Sequence, residues 1–176
     1  MTAPIYDRVA LIGLGLIASS MALAMREKGL AGSIAGHAKS AETRAVALEI
    51  GLCDQVFDSA AAAVKDADLV VLAVPVGAMA AIAQEIGPHL KPGACVTDVG
   101  SVKQAVIDAV APNLPEGVAF VPGHPLAGTE HSGPRAGFPT LFVNRWCLLT
   151  PTETSTPEAT ARLRALWEGM GAKVDE

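Results

Sequence analysis

A short turn near the N-terminus constrains the fold of this chain more than any other feature. Gly13, Gly15 and Ala18 stand between an apolar run at residues 8–12 and a run at residues 16–28 that lacks glycine and proline. The first glycine permits a tight turn, the second lets phosphates approach the backbone, and the third position needs only a small residue for helix–strand packing. The pattern therefore predicts a strand, a phosphate-binding turn and a helix whose N-terminal N–H groups are free.

Strand-like and helix-like runs alternate along the rest of the chain, which is typical of a parallel sheet covered by helices. The plainest strand is predicted at residues 68–74, which are apolar on both faces and rich in β-branched side chains. Residues 122–139 are dense in glycine and proline and are predicted to form a loop. Further strands are predicted at residues 33–36, 94–99, 117–121, 141–149 and 173–176, and helices at residues 40–50, 76–86, 102–110 and 157–170.

These patterns predict an α/β fold of the Rossmann type, with a doubly wound, mostly parallel sheet and helices on both faces. A length of 176 residues suits one domain. We expect residues 1–176 to form a dinucleotide-binding domain, with residues 140–176 as its strand-helix-strand extension. Alanine and aliphatic residues must fill the core, because 51% of the residues are hydrophobic and only 4% are aromatic.

Charge and cysteine content exclude several classes of partner. A formal net charge of −5 argues against a nucleic acid. The apolar stretch at residues 9–25 is interrupted by glycines and lacks a net positive flank, so neither a membrane span nor a signal peptide is expected. Cys53, Cys95 and Cys147 lie far apart without metal-ligand spacing. We expect buried thiols, no metal site and a cytoplasmic protein, since free thiols suit a reducing compartment.

The residue after the second strand normally selects the dinucleotide, and here it is His37 rather than an acidic residue. Lys39, Ser40 and Arg44 follow and are placed to surround a 2′-phosphate. The alternative is a capped helix with solvated cations. The sequence favours NADP, or use of both dinucleotides, over strict use of NAD.

Further contacts to the dinucleotide are expected from Leu16 and Ile17 in the turn. Val74 and Pro75 are candidates as well, because open α/β sheets bind ligands at the carboxyl ends of their strands.

Residues 97–103, Thr-Asp-Val-Gly-Ser-Val-Lys, again run from a strand into a helix. Ser101 is predicted near the helix N-cap, where it serves either as a structural cap or as a site residue. His124 lies between Pro122 and Pro125, which exclude a regular helix or a central strand. A rigid loop histidine followed by Thr129 and Glu130 favours a positioned acid or base over a passive surface residue.

Three segments together resemble the prephenate/arogenate (cyclohexadienyl) dehydrogenase family of tyrosine biosynthesis. They are Gly-Leu-Gly-Leu-Ile at 13–17, Asp-Val-Gly-Ser-Val-Lys at 98–103 and Gly-His-Pro-Leu-Ala-Gly-Thr-Glu at 123–130. The resemblance implies oxidative decarboxylation of a cyclohexadienyl acid, prephenate or arogenate, with hydride transfer to NAD(P)⁺. It also implies that His124 binds the ring hydroxyl of the substrate and that Ser101 contacts both His124 and this hydroxyl. Thr129 and Glu130 are then expected to position the substrate.

This chain departs from the family pattern in two ways, and it is short. Ala18 replaces a glycine, which should be tolerated, and His37 replaces the acidic residue that is common in NAD-using members. The family carries a second, helical domain that forms a homodimer and supplies an arginine for the ring carboxylate. We expect that domain to be absent here, so the substrate site of this chain alone is expected to be incomplete. Arg135 and Arg145 are the available cations.

Two other interpretations stay open. One is a Rossmann dehydrogenase of the β-hydroxyacid or imine-reductase kind, which shares the strand ending in Pro75 but relies on a lysine in a following helical domain. The other is a non-catalytic module that binds NAD(P) and regulates a partner.

Overall fold

A computed structural model describes residues 3–176, and its larger sheet has the predicted architecture. The six strands are β1 (Tyr6–Ile12), β2 (Ala31–His37), β3 (Gln55–Phe57), β4 (Leu69–Leu72), β5 (Cys95–Asp98) and β6 (Ala119–Phe120). Their order is β3-β2-β1-β4-β5-β6, and all neighbours pair in parallel. The strand order reverses between β1 and β4, where open α/β sheets bind ligands. The prediction of a Rossmann-type sheet is confirmed.

Helices cover both faces of this sheet. They are α1 (Leu16–Lys28), α2 (Ala41–Glu49), α3 (Ala60–Ala63), α4 (Val76–Ile86), α5 (Lys103–Val110) and α6 (Pro157–Gly169). Successive residues of β1 point to opposite faces. Val9 and Leu11 pack in one core cluster with α1 and α6, and Ala10 and Ile12 pack in the other with α3, α4 and α5. Across residues 3–176, none of the helices combines the length and apolarity needed to span a bilayer.

A second, smaller sheet packs on the α1 face. Its strands are β7 (Gly123–Pro125), β8 (Trp146–Leu149) and β9 (Lys173–Asp175), with β7 antiparallel and β9 parallel to β8. Trp167 of α6 is completely buried beneath it, and its ring meets Phe142 edge-on at 5.0 Å between centroids. Residues 140–176 therefore share the core of the larger sheet, and their assignment as an extension of one domain stays a prediction.

The prediction of a loop over residues 122–139 is wrong at its start, because β7 begins at Gly123. Pro125 is tolerated since β7 is an edge strand, which leaves one side of its backbone outside the sheet. The strand predicted at residues 141–149 begins only at Trp146. A turn precedes it, in which Asn144 has a φ of +61° and donates its N–H to the carbonyl of Gly171 at 2.9 Å.

Other differences come from short elements. Sequence patterns did not predict β3 or α3, because these elements have only three and four residues and show no clear periodicity. The Ser59 side chain caps α3 by accepting the N–H of Ala62 at 3.1 Å. The central strand β4 ends at Leu72 rather than at Val74. Ala73 still donates its N–H to Ile12, but Val74 and Pro75 then turn the chain into α4.

The three cysteines are free and buried. Burial disfavours a thiolate, so it raises the pKa of Cys53 to about 11 and the pKa values of Cys95 and Cys147 to about 12. All three thiols are therefore protonated at neutral pH, and they act as small apolar side chains of the core.

Trp167→Ala tests the packing of α6 and the smaller sheet on the larger one. We expect the free energy of unfolding to fall by about 3–5 kcal/mol, because the substitution removes a large buried side chain and leaves a cavity. Trp146→Ala is the matched control, since the Trp146 side chain is 47% exposed. This substitution should lower the free energy of unfolding by less than about 1 kcal/mol. Urea titration followed by circular dichroism measures both, and equal losses would contradict the packing.

Candidate active site

The turn after β1 is held between the ends of two neighbouring strands. Gly13 has a φ of +97° and donates its N–H to the carbonyl of His37 at 2.8 Å. A Cβ atom at Gly13 would lie 2.4 Å from the carbonyl oxygen of Ala73. Both the backbone conformation and the close approach require glycine here.

The N-terminus of α1 is open to a ligand. Gly15 is its N-cap residue, no side chain caps the helix, and the first turn holds no acidic residue. A Cβ atom added to Gly15 would meet nothing within 4 Å, so the space in front of the helix is free. Free N–H groups and the positive end of the helix dipole favour an anion at this place, and the residues present fit a pyrophosphate.

A crevice of about 190 Å³ adjoins this helix end. It lies at the carboxyl ends of β1, β4 and β5, beside the switch point between β1 and β4. Its lining residues include five of the predicted cofactor residues and come from three segments: Gly15, Leu16, Ile17 and Ala18; Ala73 and Val74; Val99 and Gly100. Pro75, another predicted residue, follows Val74 and is the N-cap residue of α4.

A larger cavity, of about 470 Å³, lies at the opposite end of the sheet. Tyr6, Cys95 and Ala119 line it, and these are the first residues of β1, β5 and β6. The nearby helix α6 is capped by the Thr156 side chain, which accepts the N–H of Ala159 at 3.1 Å. We regard the smaller crevice as the candidate site, because only that one combines a free helix N-terminus with the carboxyl ends of the strands.

His37 ends β2 and is half-buried. Its Nδ1 atom lies 2.9 Å from the carbonyl oxygen of Phe57, the residue opposite it on β3. A carbonyl can only accept a hydrogen bond, so Nδ1 carries the hydrogen and donates it. In the neutral ring, Nε2 is then left as a hydrogen-bond acceptor.

The segment after His37 gathers the other predicted residues of this end. The Arg44 guanidinium folds back and donates to the carbonyl oxygens of Ala38 at 2.8 Å and Lys39 at 3.1 Å. Ser40 caps α2 by accepting the N–H of Thr43 at 3.3 Å, as in the alternative of a capped helix. Lys39, Ser40 and Arg44 therefore lie in one short segment that begins at the carboxyl end of β2.

One carboxylate, that of Asp98, binds the backbone immediately before Ser101 and immediately before His124. Asp98 is the last residue of β5 and is completely buried. It accepts the N–H of Gly100 at 2.8 Å and the N–H of Gly123 at 3.2 Å. These glycines immediately precede Ser101 and His124. The two predicted catalytic residues, 23 positions apart in sequence, are thus each one residue from the same side chain.

Ser101 does not serve as a helix cap. Val102 is the N-cap residue of α5, and no side-chain hydrogen bond caps that helix. Ser101 lies one position earlier and is exposed, while His124 is half-buried in β7. The exposed hydroxyl favours the interpretation of Ser101 as a site residue over that of a structural cap.

The remaining predicted substrate residues lie on the surface. Thr129 and Glu130 are exposed in the segment after β7, where the Thr129 hydroxyl accepts the N–H of His131 at 3.1 Å. Arg135 lies 3.5 Å from Glu49 of α2 and is therefore directed towards that helix. Arg145 is exposed in the turn before β8.

Sequence patterns alone did not predict the partners of these residues. Only Ser101 was predicted to act in residues 97–103, whereas Asp98 and Lys103 of the same segment form an ion pair beside the site. Charged residues at the end of a buried strand and at the start of the next helix were the available signal. Within residues 3–176, no group of three or more His, Cys, Asp or Glu side chains is arranged to hold a metal ion.

Gly13→Ala and Gly15→Ala test the geometry of the turn. We expect Gly13→Ala to lower the free energy of unfolding by at least about 2 kcal/mol, because it places a Cβ against Ala73 at a positive φ. Gly15→Ala should stay within about 0.5 kcal/mol of the unmodified protein, since its Cβ meets open space. Urea titration of both variants measures the difference, and indistinguishable stabilities would refute the clamped turn.

Comparison with known proteins connects this geometry to a family. The sequence profile described as "Prephenate dehydrogenase, nucleotide-binding domain" matches residues 21–176. The cyclohexadienyl dehydrogenase of Zymomonas mobilis is 40% identical over 171 residues, which cover 97% of this chain and 58% of that protein.

Two solved structures are also similar. The prephenate dehydrogenase of A. aeolicus, in complex with hydroxyphenyl propionate and NAD⁺, has a TM-score of 0.88 at 30% identity, covering 96% of this chain and 59% of that one. Synechocystis arogenate dehydrogenase has a TM-score of 0.87 at 33% identity, covering 96% and 58%. The chain thus spans a little over half the length of these three relatives. Because the profile matches most of the chain, the resemblance is confirmed: the chain belongs to the prephenate dehydrogenase family, whose nucleotide-binding domain it contains.

Proposed function

We propose that this chain carries the dinucleotide site and the proton-accepting histidine of a prephenate or arogenate dehydrogenase, which decarboxylates its substrate oxidatively. One observation carries the proposal. Asp98 binds the backbone before Ser101 and before His124, and Gly100 also lines the crevice beside Gly15. The dinucleotide crevice and the candidate proton acceptor are therefore parts of one site.

The cofactor is a nicotinamide dinucleotide, as the nucleotide-binding character of the family and the NAD⁺ complex of the A. aeolicus relative support. When bound, it supplies the hydride acceptor. The chain contributes the binding geometry. We assign the pyrophosphate to the N-terminus of α1 at Gly15, Leu16, Ile17 and Ala18. The segment after β4, at Val74 and Pro75, and the glycine turn at Gly13 complete this part of the site.

His124 is assigned the role of general base. Its imidazole accepts the proton of the ring hydroxyl, so that the carbon bearing the hydroxyl becomes a carbonyl as its hydride leaves. The bond to the ring carboxylate then breaks, carbon dioxide leaves, and the electron pair enters the ring, so that the carbonyl oxygen takes back a proton and the ring becomes a phenol. Ser101 orients the same hydroxyl, and Thr129 and Glu130 position the rest of the substrate. Proton acceptance of this kind is worth about 10²–10⁴-fold in rate.

The substrate is a small anion, and the partners of the whole protein are inferred from the relatives. The names of the relatives support prephenate or arogenate as the substrate. A homodimer formed through a second helical domain stays a prediction. The three buried, free thiols support a reducing compartment, the cytoplasm.

For the choice of dinucleotide, we favour NADP or use of both cofactors. Nε2 of His37 is a free acceptor for a ribose hydroxyl in the neutral ring and a donor to a 2′-phosphate in the protonated ring. The two carbonyl contacts of Arg44 use one guanidinium nitrogen, so its other N–H groups are available to a phosphate. Exposed Lys39 adds a second positive charge beside it.

Arg44→Ala tests this assignment. We expect the Kd for NADPH to rise about 10–100-fold, the equivalent of about 1.4–2.8 kcal/mol and typical of a charge-assisted hydrogen bond, while the Kd for NADH changes little. Arg164→Ala is the matched control, since Arg164 also donates to a backbone carbonyl, that of Val174, but lies on α6. Fluorescence titration with both reduced dinucleotides gives the ratio. An equal loss of affinity for both dinucleotides would contradict the assignment, because the guanidinium would then contact a group that the two dinucleotides share.

The reaction is tested by absorbance at the nicotinamide band, with prephenate and arogenate each paired with NAD⁺ and NADP⁺. The assay uses this chain and the protein extended to the length of its relatives. We expect His124→Ala to lower kcat about 10²–10⁴-fold without weakening dinucleotide binding. His89→Ala, at an exposed histidine in a distant turn, should leave kcat unchanged. Unchanged turnover in His124→Ala would overturn the role of His124. Dinucleotide binding without turnover in the extended protein would favour a non-catalytic module.

A further inference from the structure

The ion pair of Asp98 and Lys103 takes no part in the chemistry described above. Lys103 is the first residue of α5, and its side chain is only 17% exposed, while that of Asp98 is completely buried. A buried ion pair is a poor source of stability, because removing two charges from water offsets most of their attraction. The arrangement of its hydrogen bonds indicates another use.

The Asp98 carboxylate joins two segments that are distant in sequence. One oxygen, Oδ2, accepts the N–H of Gly100 at 2.8 Å and a hydrogen bond from Lys103 Nζ. The other, Oδ1, accepts the N–H of Gly123 at 3.2 Å. A single side chain therefore holds both the turn after β5 and the beginning of β7.

The pair also satisfies both polar backbone groups of Gly123. Asp98 accepts its N–H, and Lys103 Nζ donates to its carbonyl oxygen at 2.5 Å. In an antiparallel edge strand, the backbone N–H and carbonyl of every second residue point away from the neighbouring strand. Gly123 is such a residue, so these groups have no partner on β8. The ion pair takes the place of the missing neighbouring strand.

The contact between the two segments is close. A Cβ atom at Gly123 would lie 3.0 Å from the backbone oxygen of Asp98, which is tighter than nearly all such contacts. Glycine therefore allows β7 to approach the end of β5, and the ion pair holds it there. His124 follows Gly123 directly, just as Ser101 follows Gly100.

We propose that Asp98 and Lys103 form a positioning pair that sets the distance between Ser101 and His124. This inference rests on the proposed function, because the distance matters for catalysis only if Ser101 and His124 have the roles proposed above. Neither side chain needs to touch the substrate. They act through the backbone of Gly100 and Gly123, and they keep the hydroxyl-binding serine and the proton-accepting histidine in register from two separate segments.

Lys103→Met is the principal test, in the protein extended to the length of its relatives. It removes the donor to Gly123 and the counter-charge of Asp98. We expect kcat to fall about 10–100-fold, since a misplacement of about 1 Å can cost 10²-fold, while the Kd for the dinucleotide stays within about 2-fold. Lys103→Arg keeps the charge and the donors and should return kcat to within about 10-fold of the unmodified protein.

Lys91→Met is the matched control. Lys91 Nζ lies 2.6 Å from Asp68, which also accepts a backbone N–H, from Arg8 at 2.9 Å. This second pair of the same chemistry lies at the opposite end of the sheet. Its loss should leave kcat unchanged. A loss of kcat in Lys91→Met equal to that in Lys103→Met would reduce the proposed role to general stability.

NMR of the labelled chain gives a readout that does not require turnover. In Asp98→Asn, which keeps the size of the side chain, we expect the amide signals of Gly100 and Gly123 and the ring signals of His124 to shift together. Lys91→Met should leave them in place. Folded Asp98→Asn or Lys103→Met with unmoved His124 signals, or with unchanged kcat, overturns the proposal. If Lys103→Met does not fold, Asp98→Asn decides alone. If the unmodified protein forms no NADH or NADPH, the proposed function fails, and these shifts still decide the positioning role.

Discussion

The reversal of strand order between β1 and β4 is the constraint on which the rest of the site depends. Strands on the two sides of this point connect through helices on opposite faces, so the carboxyl ends of β1 and β4 border a crevice with no helix across it. The turn at Gly13 is held there from both sides, by the carbonyl of His37 and by the close approach of Ala73. That clamp directs the free N-terminus of α1 into the crevice.

The smaller sheet places a second set of residues beside this edge. Its strands share a core with α1 and the larger sheet, and the burial of Trp167 and Phe142 holds them together. The carboxylate of Asp98 connects Gly123 to Gly100, which itself lines the crevice. The candidate site is therefore assembled by packing on one side of β7 and by a buried ion pair on the other.

Local patterns predicted the elements that depend on local chemistry. The bounds of α1 and α4 agree with the prediction, because each helix is bordered on both sides by glycine or proline. The caps of α2 and α6 are local as well, because the Ser40 and Thr156 side chains each accept the N–H three residues further along. The strand β7 was not predicted, because its glycine and proline are typical of a loop and only an edge position makes them compatible with pairing. The short strand β3 was missed because three residues carry no period.

The sequence by itself determined the fold class, the glycine turn and the identity of the candidate residues, including His37, Ser101 and His124. These follow from periodicity, from residue size and from the chemistry of single side chains, all of which are local. Only the tertiary structure decided that Asp98 and Lys103 hold Gly100 and Gly123 together, and that Nδ1 of His37 is occupied by Phe57. The contacts to Gly123 and to Phe57 join residues 20 or more positions apart, and their geometry depends on how the strands pair and the sheets pack.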